Sequence, residues 1–300
     1  MIIRKKKGLV ALVAQARRNR MYTYNKMYTD NIKDILTCGM STKGFPVRPK
    51  YKDGTPAHTI YIPNLYEVFD ISEGQFPIHN LRATAWKSAI LEYLWIFQKQ
   101  TSSLSELNGM GVKYWDDWDI GDGTIGKRYG ETVKRYNLMN QILDGIKRDP
   151  MGRRHIIDLY QYEDFEKSDG LYPCQFLHHF QVRGEFLDLT TTIRSSDYLV
   201  AGTINKIQAI ALLMMVAKAT GYKPGYFVHD QRNVHIYDRH IENAEILLSR
   251  YATIEDSDAD VSPILNFNPR GTDFYSFRIE DFSLSFYKPM EPQLPFELGV

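Results

Sequence analysis

Residues Asn205 to Thr220 read NKIQAIALLMMVAKAT and are followed at once by Gly221. Ile207, Ile210, Ala211, Met214 and Met215 recur at helical spacing, and the intervening positions are mostly apolar too. A helix apolar on every side is buried, not laid on a surface, and a glycine just past the last turn is a common way for it to end. Ala83 to Gln98 is a second helix of this kind. Trp86, Ala89, Ile90, Tyr93, Leu94 and Phe97 form one stripe, while Leu91, Trp95 and Ile96 make the other side apolar as well. Glu92 lies inside that helix. A buried carboxylate is costly unless it has a partner or a purpose, so this residue stands out.

Around the two helices lie runs rich in β-branched and aromatic residues: Ile60-Tyr61-Ile62, His155–Gln161, Phe176–Val182, Glu185–Thr192, Tyr226–Tyr237 and Tyr275–Phe286. Arg183-Gly184 joins two of them as a tight hairpin. Tyr22 to Cys38 has a helical pattern ending near Gly39, and Lys50 to Thr59 is polar and turn-rich. Strands mixed with long buried helices, without regular β-α alternation, predict an α+β fold with a mixed or mostly antiparallel sheet. No G-x-G-x-x-G follows a strand and no Walker loop is present, which disfavours a dinucleotide-binding unit. Neither an internal repeat nor a Ser/Gly/Pro linker divides the chain.

Composition narrows the function. With 37 Lys+Arg against 36 Asp+Glu, the net charge of +1 argues against a polyanion-coating protein. A hydrophobic fraction of 43% supplies a full core, and no apolar run is long enough to span a bilayer. Two cysteines, Cys38 and Cys174, cannot build a disulfide framework, and no His/Cys/Asp cluster has metal-ligand spacing. A reduced, cytoplasmic setting is expected. Arg4-Lys5-Lys6-Lys7 followed by Gly8 to Ala16 imitates a secretory signal, but the apolar stretch is barely long enough and Arg17-Arg18-Asn19-Arg20 follows directly. Residues 1–21 are therefore read as a basic amphipathic extension and 22–300 as one domain. That basic cluster is also the only feature favouring a rival reading as an RNA-binding protein, and the near-neutral charge weighs against it.

Cys174 follows Leu171-Tyr172-Pro173 at the entrance to a strand. A lone cysteine is more often a small buried hydrophobe than a nucleophile. Two neighbourhoods shift that balance. Arg194-Ser195-Ser196-Asp197 offers a guanidinium and hydroxyls suited to a phosphate. Arg153-Arg154 follows the turn at Asp149-Pro150, and nearby cations would hold a thiol as thiolate at neutral pH. His235 and Tyr237 share one strand face, because side-chain direction alternates with period two; they could bind one sugar hydroxyl. His178 and His179 point to opposite faces.

Taken in order, these segments resemble the thymidylate synthase family from about Tyr22 to Val300. The matching pieces are Lys52-Asp53-Gly54-Thr55, Glu92-Tyr93-Leu94-Trp95, Tyr114-Trp115-Asp116-Asp117-Trp118, Tyr129-Gly130, Asp149-Pro150 with Arg153-Arg154, Pro173-Cys174, Arg194-Ser195-Ser196-Asp197, Asn205 and His235-Ile236-Tyr237. Each is weak alone; the ordered set is specific.

The resemblance implies reductive methylation of dUMP to dTMP, with 5,10-methylenetetrahydrofolate giving both carbon and hydride and leaving as dihydrofolate. By that analogy Cys174 adds to C6 of the uracil and makes C5 a carbon nucleophile. Glu92 relays protons to uracil O4 and the folate through water, Tyr129 assists removal of the C5 proton, and Asn205 reads O4 and N3. Lys52, Arg194 and Ser195 hold the 5′-phosphate, together with Arg153 and Arg154 crossing from the partner of a homodimer. His235 and Tyr237 hold the 3′-hydroxyl, and Asp197 belongs to both the nucleotide and the folate sites. Arg82, Trp115, Trp118, Leu171, Ala201 and Val300 correspond to folate contacts. No metal and no membrane are implied.

Several positions depart from the family pattern: Lys52 for a phosphate-loop arginine, Gln175 for a histidine after the nucleophile, Ile193 for a glutamine, and Ala201-Gly202 in place of a Gly-Leu-Pro run. The rival chemistry is a dUMP hydroxymethylase, in which water captures the exocyclic methylene. Trp115, Trp118 and an apolar tail favour exclusion of water and hydride transfer.

Overall fold

The computed structural model describes residues 23–165, 170–255, 257 and 260–299. The basic extension at 1–21 and Val300 lie outside the described residues. In chain order the regular elements are α1 (Tyr24–Cys38), β1 (Met40–Ser41), β2 (Thr59–Asp70), α2 (Trp86–Leu94), α3 (Leu104–Gly109), α4 (Gly130–Arg135), α5 (Leu138–Arg148), β3 (Ile156–Asp158), α6 (Tyr162–Phe165), β4 (Gln175–Arg183), β5 (Phe186–Ile193), β6 (Ser196–Asp197), α7 (Gly202–Thr220), β7 (Lys223–Tyr237), α8 (Ile241–Ala252), β8 (Ile264–Phe267) and β9 (Phe282–Ser285).

The main sheet runs β1-β2-β7-β5-β4-β3, with β6 added beside β7. β2 and β7 pair antiparallel from Thr59↔Tyr237 to Asp70↔Tyr226, whereas β5 and β7 are parallel. The sheet is therefore mixed, as the irregular order of strands and helices predicts. β4 and β5 form a hairpin whose loop residues are Gly184 and Glu185, since Arg183 still pairs with Phe186. Gly184 takes φ 65°, a left-handed geometry that costs glycine little.

The inner sheet face presents Phe180, Leu187, Leu189 and Phe227 to α2 and α7, all of them buried. Every residue of α7 from Lys206 to Ala217 is buried, and Gly221 caps the helix in the left-handed conformation. Lys206 is a cation in the middle of this apolar helix, and Glu67 of β2 answers it at 2.7 Å. The side chains of Asn31 and Gln231 also donate to Glu67, and the Lys206 ammonium donates to the Tyr24 hydroxyl. α2 starts at Trp86, and its last turn widens into a π-helix over Trp95–Lys99.

Three strand expectations need correction. The run at Ile60-Tyr61-Ile62 belongs to a twelve-residue strand, because pairing with β7 carries it past Pro63 to Asp70. His155–Gln161 contributes only Ile156–Asp158 to the sheet. Tyr275–Phe286 is mostly not a strand: short 3-10 turns at Phe274–Ser276 and Ile279–Asp281 precede β9, whose partner is β8 in a separate two-stranded sheet. Aromatic content marked that segment as strand-like, but its Phe277 and Phe282 side chains are buried as core filling instead.

Candidate active site

A cavity of about 390 Å³ opens where β4, β6, β7, α2 and α7 converge. Cys174 stands at the entrance to β4, directly before an irregularity in the β4–β5 register at Gln175/Leu177. Such bulges re-aim side chains and are frequent beside active sites. Three bonds hold the backbone here: Arg194 N donates to the Cys174 carbonyl at 2.9 Å, Arg194 Nε to the Pro173 carbonyl at 3.0 Å, and Arg194 Nη2 to the Tyr172 carbonyl at 2.7 Å. Arg194 thus fixes the thiol-bearing segment and still lines the cavity.

Tyr129 reaches Cys174 from the other side, its hydroxyl accepting the Cys174 N–H at 3.2 Å. Tyr129 caps α4 with φ 49° and ψ −105°, an uncommon conformation for a residue with a side chain. The next residue must be glycine, because a Cβ on Gly130 would stand 2.2 Å from the Thr101 carbonyl oxygen. Tight backbone packing therefore sets where the tyrosine points.

Glu92 and Asn205 enter from the two buried helices. Burial lifts the Glu92 carboxyl from its ordinary value to about 7, against hydrogen bonding from Tyr114. The Trp115 indole, whose N–H meets no partner at full hydrogen-bonding geometry, and Gln208 also counter that rise. Gln175 ties the two helices together, its amide donating to the Tyr93 hydroxyl and, at 3.2 Å, to the Asn205 carbonyl.

Parallel pairing of β6 with β7 matches Ser196 with Val234 and Asp197 with His235, which brings the Arg194–Asp197 segment alongside His235 and Tyr237. Those two rings stand 5.1 Å apart at right angles. His235 Nδ1 lies 2.8 Å from the Asn233 carbonyl, which can only accept, so Nδ1 carries the proton and Nε2 is left as an acceptor. Burial pushes this imidazole below its ordinary value, partly offset by its bond to Asn233. Burial also pushes the Asp197 carboxyl up to about 6, partly offset by His240, Arg82 and backbone N–H groups. Trp115, Trp118, Leu171, Val200, Ala201 and Ile204 form an apolar wall.

Cys174, Glu92, Tyr129, Asn205, Arg194, Ser195, Asp197, His235, Tyr237, Trp115, Trp118, Leu171 and Ala201 all line this one cavity. Among the described residues, four named from the sequence do not. Lys52 is exposed on the turn at 50–56, its backbone N–H bonded to Glu297, and the cavity's cation from that segment is Arg48. Arg153 and Arg154 are exposed on the turn after α5. Arg82 is buried just outside, donating to the carbonyls of Ala83 and Leu199 and lying over the Phe296 ring. The expectation that cations hold the thiol low is corrected too. Burial pushes the Cys174 thiol up, and Arg194 and Arg48 offset that only in part.

Arg48, Tyr114, Gln208, Leu298 and Gly299 also line the cavity but carried no role in the sequence reading. Arg48 stood four positions before the favoured Lys52, and only the turn geometry distinguishes them. The segments bearing Arg48 and Leu298 are tied to each other through Arg239. Its guanidinium meets Asp53 at 2.6 Å and Glu297 at 2.8 Å and stacks on the Tyr51 ring at 4.0 Å.

Comparison with known proteins shows which family the chain resembles as a whole. A family model described as thymidylate synthase matches residues 26–300. The thymidylate synthase of Lactococcus lactis subsp. lactis is 46% identical over 282 residues, covering 92% of this chain and 99% of that protein. That of Streptococcus sanguinis is 47% identical over 280 residues, covering 91% and 98%. Among solved structures, thermostable thymidylate synthase A from Bacillus subtilis superposes with a TM-score of 0.84 at 35% identity, covering 93% of this chain and all of that one.

Proposed function

The chain belongs to the thymidylate synthase family, and from that premise we propose how its own residues carry out the family's reaction, the reductive methylation of dUMP to dTMP. The carrying observation is the convergence of one thiol, one buried carboxyl near neutrality and one helix amide on a single cavity.

Cys174 adds through its sulfur to C6 of the uracil, and the electrons displaced from the C5–C6 double bond make C5 nucleophilic. Asn205 presents an amide donor and acceptor to O4 and N3. Glu92, near its midpoint at neutral pH, gives and takes the protons this addition and its reversal require. Tyr129, braced against the Cys174 backbone, faces the C5 proton that must leave. His235 accepts the 3′-hydroxyl proton at Nε2, with Tyr237 beside it.

The co-substrate, 5,10-methylenetetrahydrofolate, supplies the one-carbon unit and the hydride. The apolar wall of Trp115, Trp118, Leu171 and Ala201 fits a flat heterocycle and keeps water from the reacting carbon, and the Asp197 carboxyl is the polar group set beside it. Arg82 stays just outside this wall, tied to the Ala83 and Leu199 carbonyls. Among the described residues, no group suited to hold a metal ion is present.

The phosphate argues for a homodimer. Among the described residues only Arg48 and Arg194 supply cationic charge to the cavity wall, and Arg194 is largely engaged with the Cys174 segment. Arg153 and Arg154 are exposed on the turn beside β3, at the edge of an outer sheet face that leaves Thr190, Thr192, Val228 and Ile156 partly exposed. Two copies joined by that face would exchange the arginine pair. No helix among the described residues is long and apolar enough to cross a membrane, and the free cysteines Cys38 and Cys174 accord with a reduced, cytoplasmic compartment.

Spectrophotometric assay of dUMP with 5,10-methylenetetrahydrofolate tests the reading. Equimolar dTMP and dihydrofolate are expected; 5-hydroxymethyl-dUMP with tetrahydrofolate would overturn it.

A further inference from the structure

The Tyr114 hydroxyl donates a hydrogen bond to Glu92 Oε2, and its ring lines the same cavity. Tyr114 lies on the segment between α3 and the 3-10 turn at Asp116–Trp118, so it reaches the carboxylate from outside the helix that carries Glu92. A second acceptor, the Ser88 carbonyl, stands 3.4 Å from the same hydroxyl. The Trp115 indole and Gln208 also favour the ionised carboxyl from nearby, but the bond of full geometry comes from Tyr114.

We propose that Tyr114 is the positioning residue of the Glu92 carboxyl, holding Oε2 so that Oε1 is the oxygen left to exchange protons with the reacting nucleotide. This rests on the reading of Glu92 as the proton relay. A carboxyl on a two-bond stem can present either oxygen, and a relay that presents the wrong one must rotate before each transfer. One fixed donor removes that step. The hydroxyl also keeps a partner in both charge states. It donates to the ionised carboxylate; if Oε2 itself takes the proton, the carboxyl donates to the tyrosine oxygen and the phenolic hydrogen turns to Ser88.

Donation to the ionised form favours it, opposing the burial that pushes the carboxyl up. Two other tyrosines feel the Glu92 charge, Tyr93 on its own helix and Tyr129 at the start of α4. Across the cavity stand Cys174 and, beyond it, Arg48 and Arg194. Of the tyrosines, Tyr114 alone makes a hydrogen bond to the carboxylate.

Infrared titration of the carboxyl stretch in the full-length protein tests this, with the Glu92 band assigned by its loss in Glu92→Gln. In Tyr114→Phe, which deletes one oxygen, the Glu92 midpoint is expected to rise by about one pH unit. The kcat limb belonging to Glu92 should move with it, while KM for dUMP stays within about twofold. Placing 3-fluorotyrosine at position 114, a more acidic phenol of nearly the same size, should move the midpoint down. An unchanged midpoint in both variants, or movement in the same direction, would overturn the proposal. If Glu92→Gln keeps full turnover, the relay reading falls instead, and the titration still reports whether Tyr114 governs the carboxyl.

Discussion

Lys206 Nζ lies 2.7 Å from Glu67 Oε2, and neither side chain is more than 3% exposed. The pair joins α7 to β2, one residue from Asn205, and it replaces the hydration of both ions with each other and with Asn31, Gln231 and Tyr24. Removing one partner leaves the other charged and buried. Lys206→Met should therefore cost about 3–5 kcal/mol of stability, and Glu67→Gln added to it should recover much of the loss. Urea denaturation of the single and double variants measures both quantities; equal stability of single variant and parent would show that the pair contributes nothing.

Glu92 trades stability for chemistry. Its carboxyl is raised from about 4.5 to about 7. Between those values the unfolded chain has released the proton and the folded protein still holds it, so stability falls as pH rises through that window, by about 3 kcal/mol in total. Above about 7 the penalty is constant. Glu92→Gln removes this decline. Its stability relative to the parent should therefore increase by as much as about 3 kcal/mol between pH 5 and pH 8, while turnover collapses. A stability difference identical at the two pH values would refute the assignment of a raised carboxyl.

Much of this was legible beforehand, and the reason is specific. α7 and α2 are apolar all round, which only burial explains, and a lone Glu92 within such a surface has no cheap structural account. The aromatic-rich run at 275–286 misled because aromatic residues fill cores as readily as they pair in strands. Lys52 and Arg48 look alike as isolated cations; the turn at 50–56 sends the first to the surface and leaves the second facing the thiol. The thiol's own environment was misjudged because burial acts on it from every side, and no sequence pattern reports that.

Cys174→Ser should abolish dihydrofolate formation while dUMP still binds by calorimetry, since a serine hydroxyl has no appreciable anionic form at neutral pH. Subunits carrying this change, refolded together with Arg153→Ala subunits, should regain partial activity if the arginine serves the neighbouring site. Mixtures as inactive as their parents would mean that each copy builds its site alone.

Asn205→Asp exchanges an amide that can both donate and accept for a carboxylate that only accepts. Preference should move from dUMP toward dCMP, whose ring offers a donor where uracil has O4. Competition between the two nucleotides, read as relative kcat/KM, would contradict the uracil contact if the ratio stayed the same.

Arg239, gripping both Asp53 and Glu297, bears on how the protein comes into being. Along the chain Arg48 comes far before the thiol and Leu298 far after it, yet all three border one chamber. Any nascent chain short of Glu297 lacks part of the enclosure and leaves the clasp at Arg239 half made. Nucleotide capture therefore waits for the segment at 297–299, and a fragment cut short by a premature stop before that glutamate would carry its sulfur in an unfinished vessel.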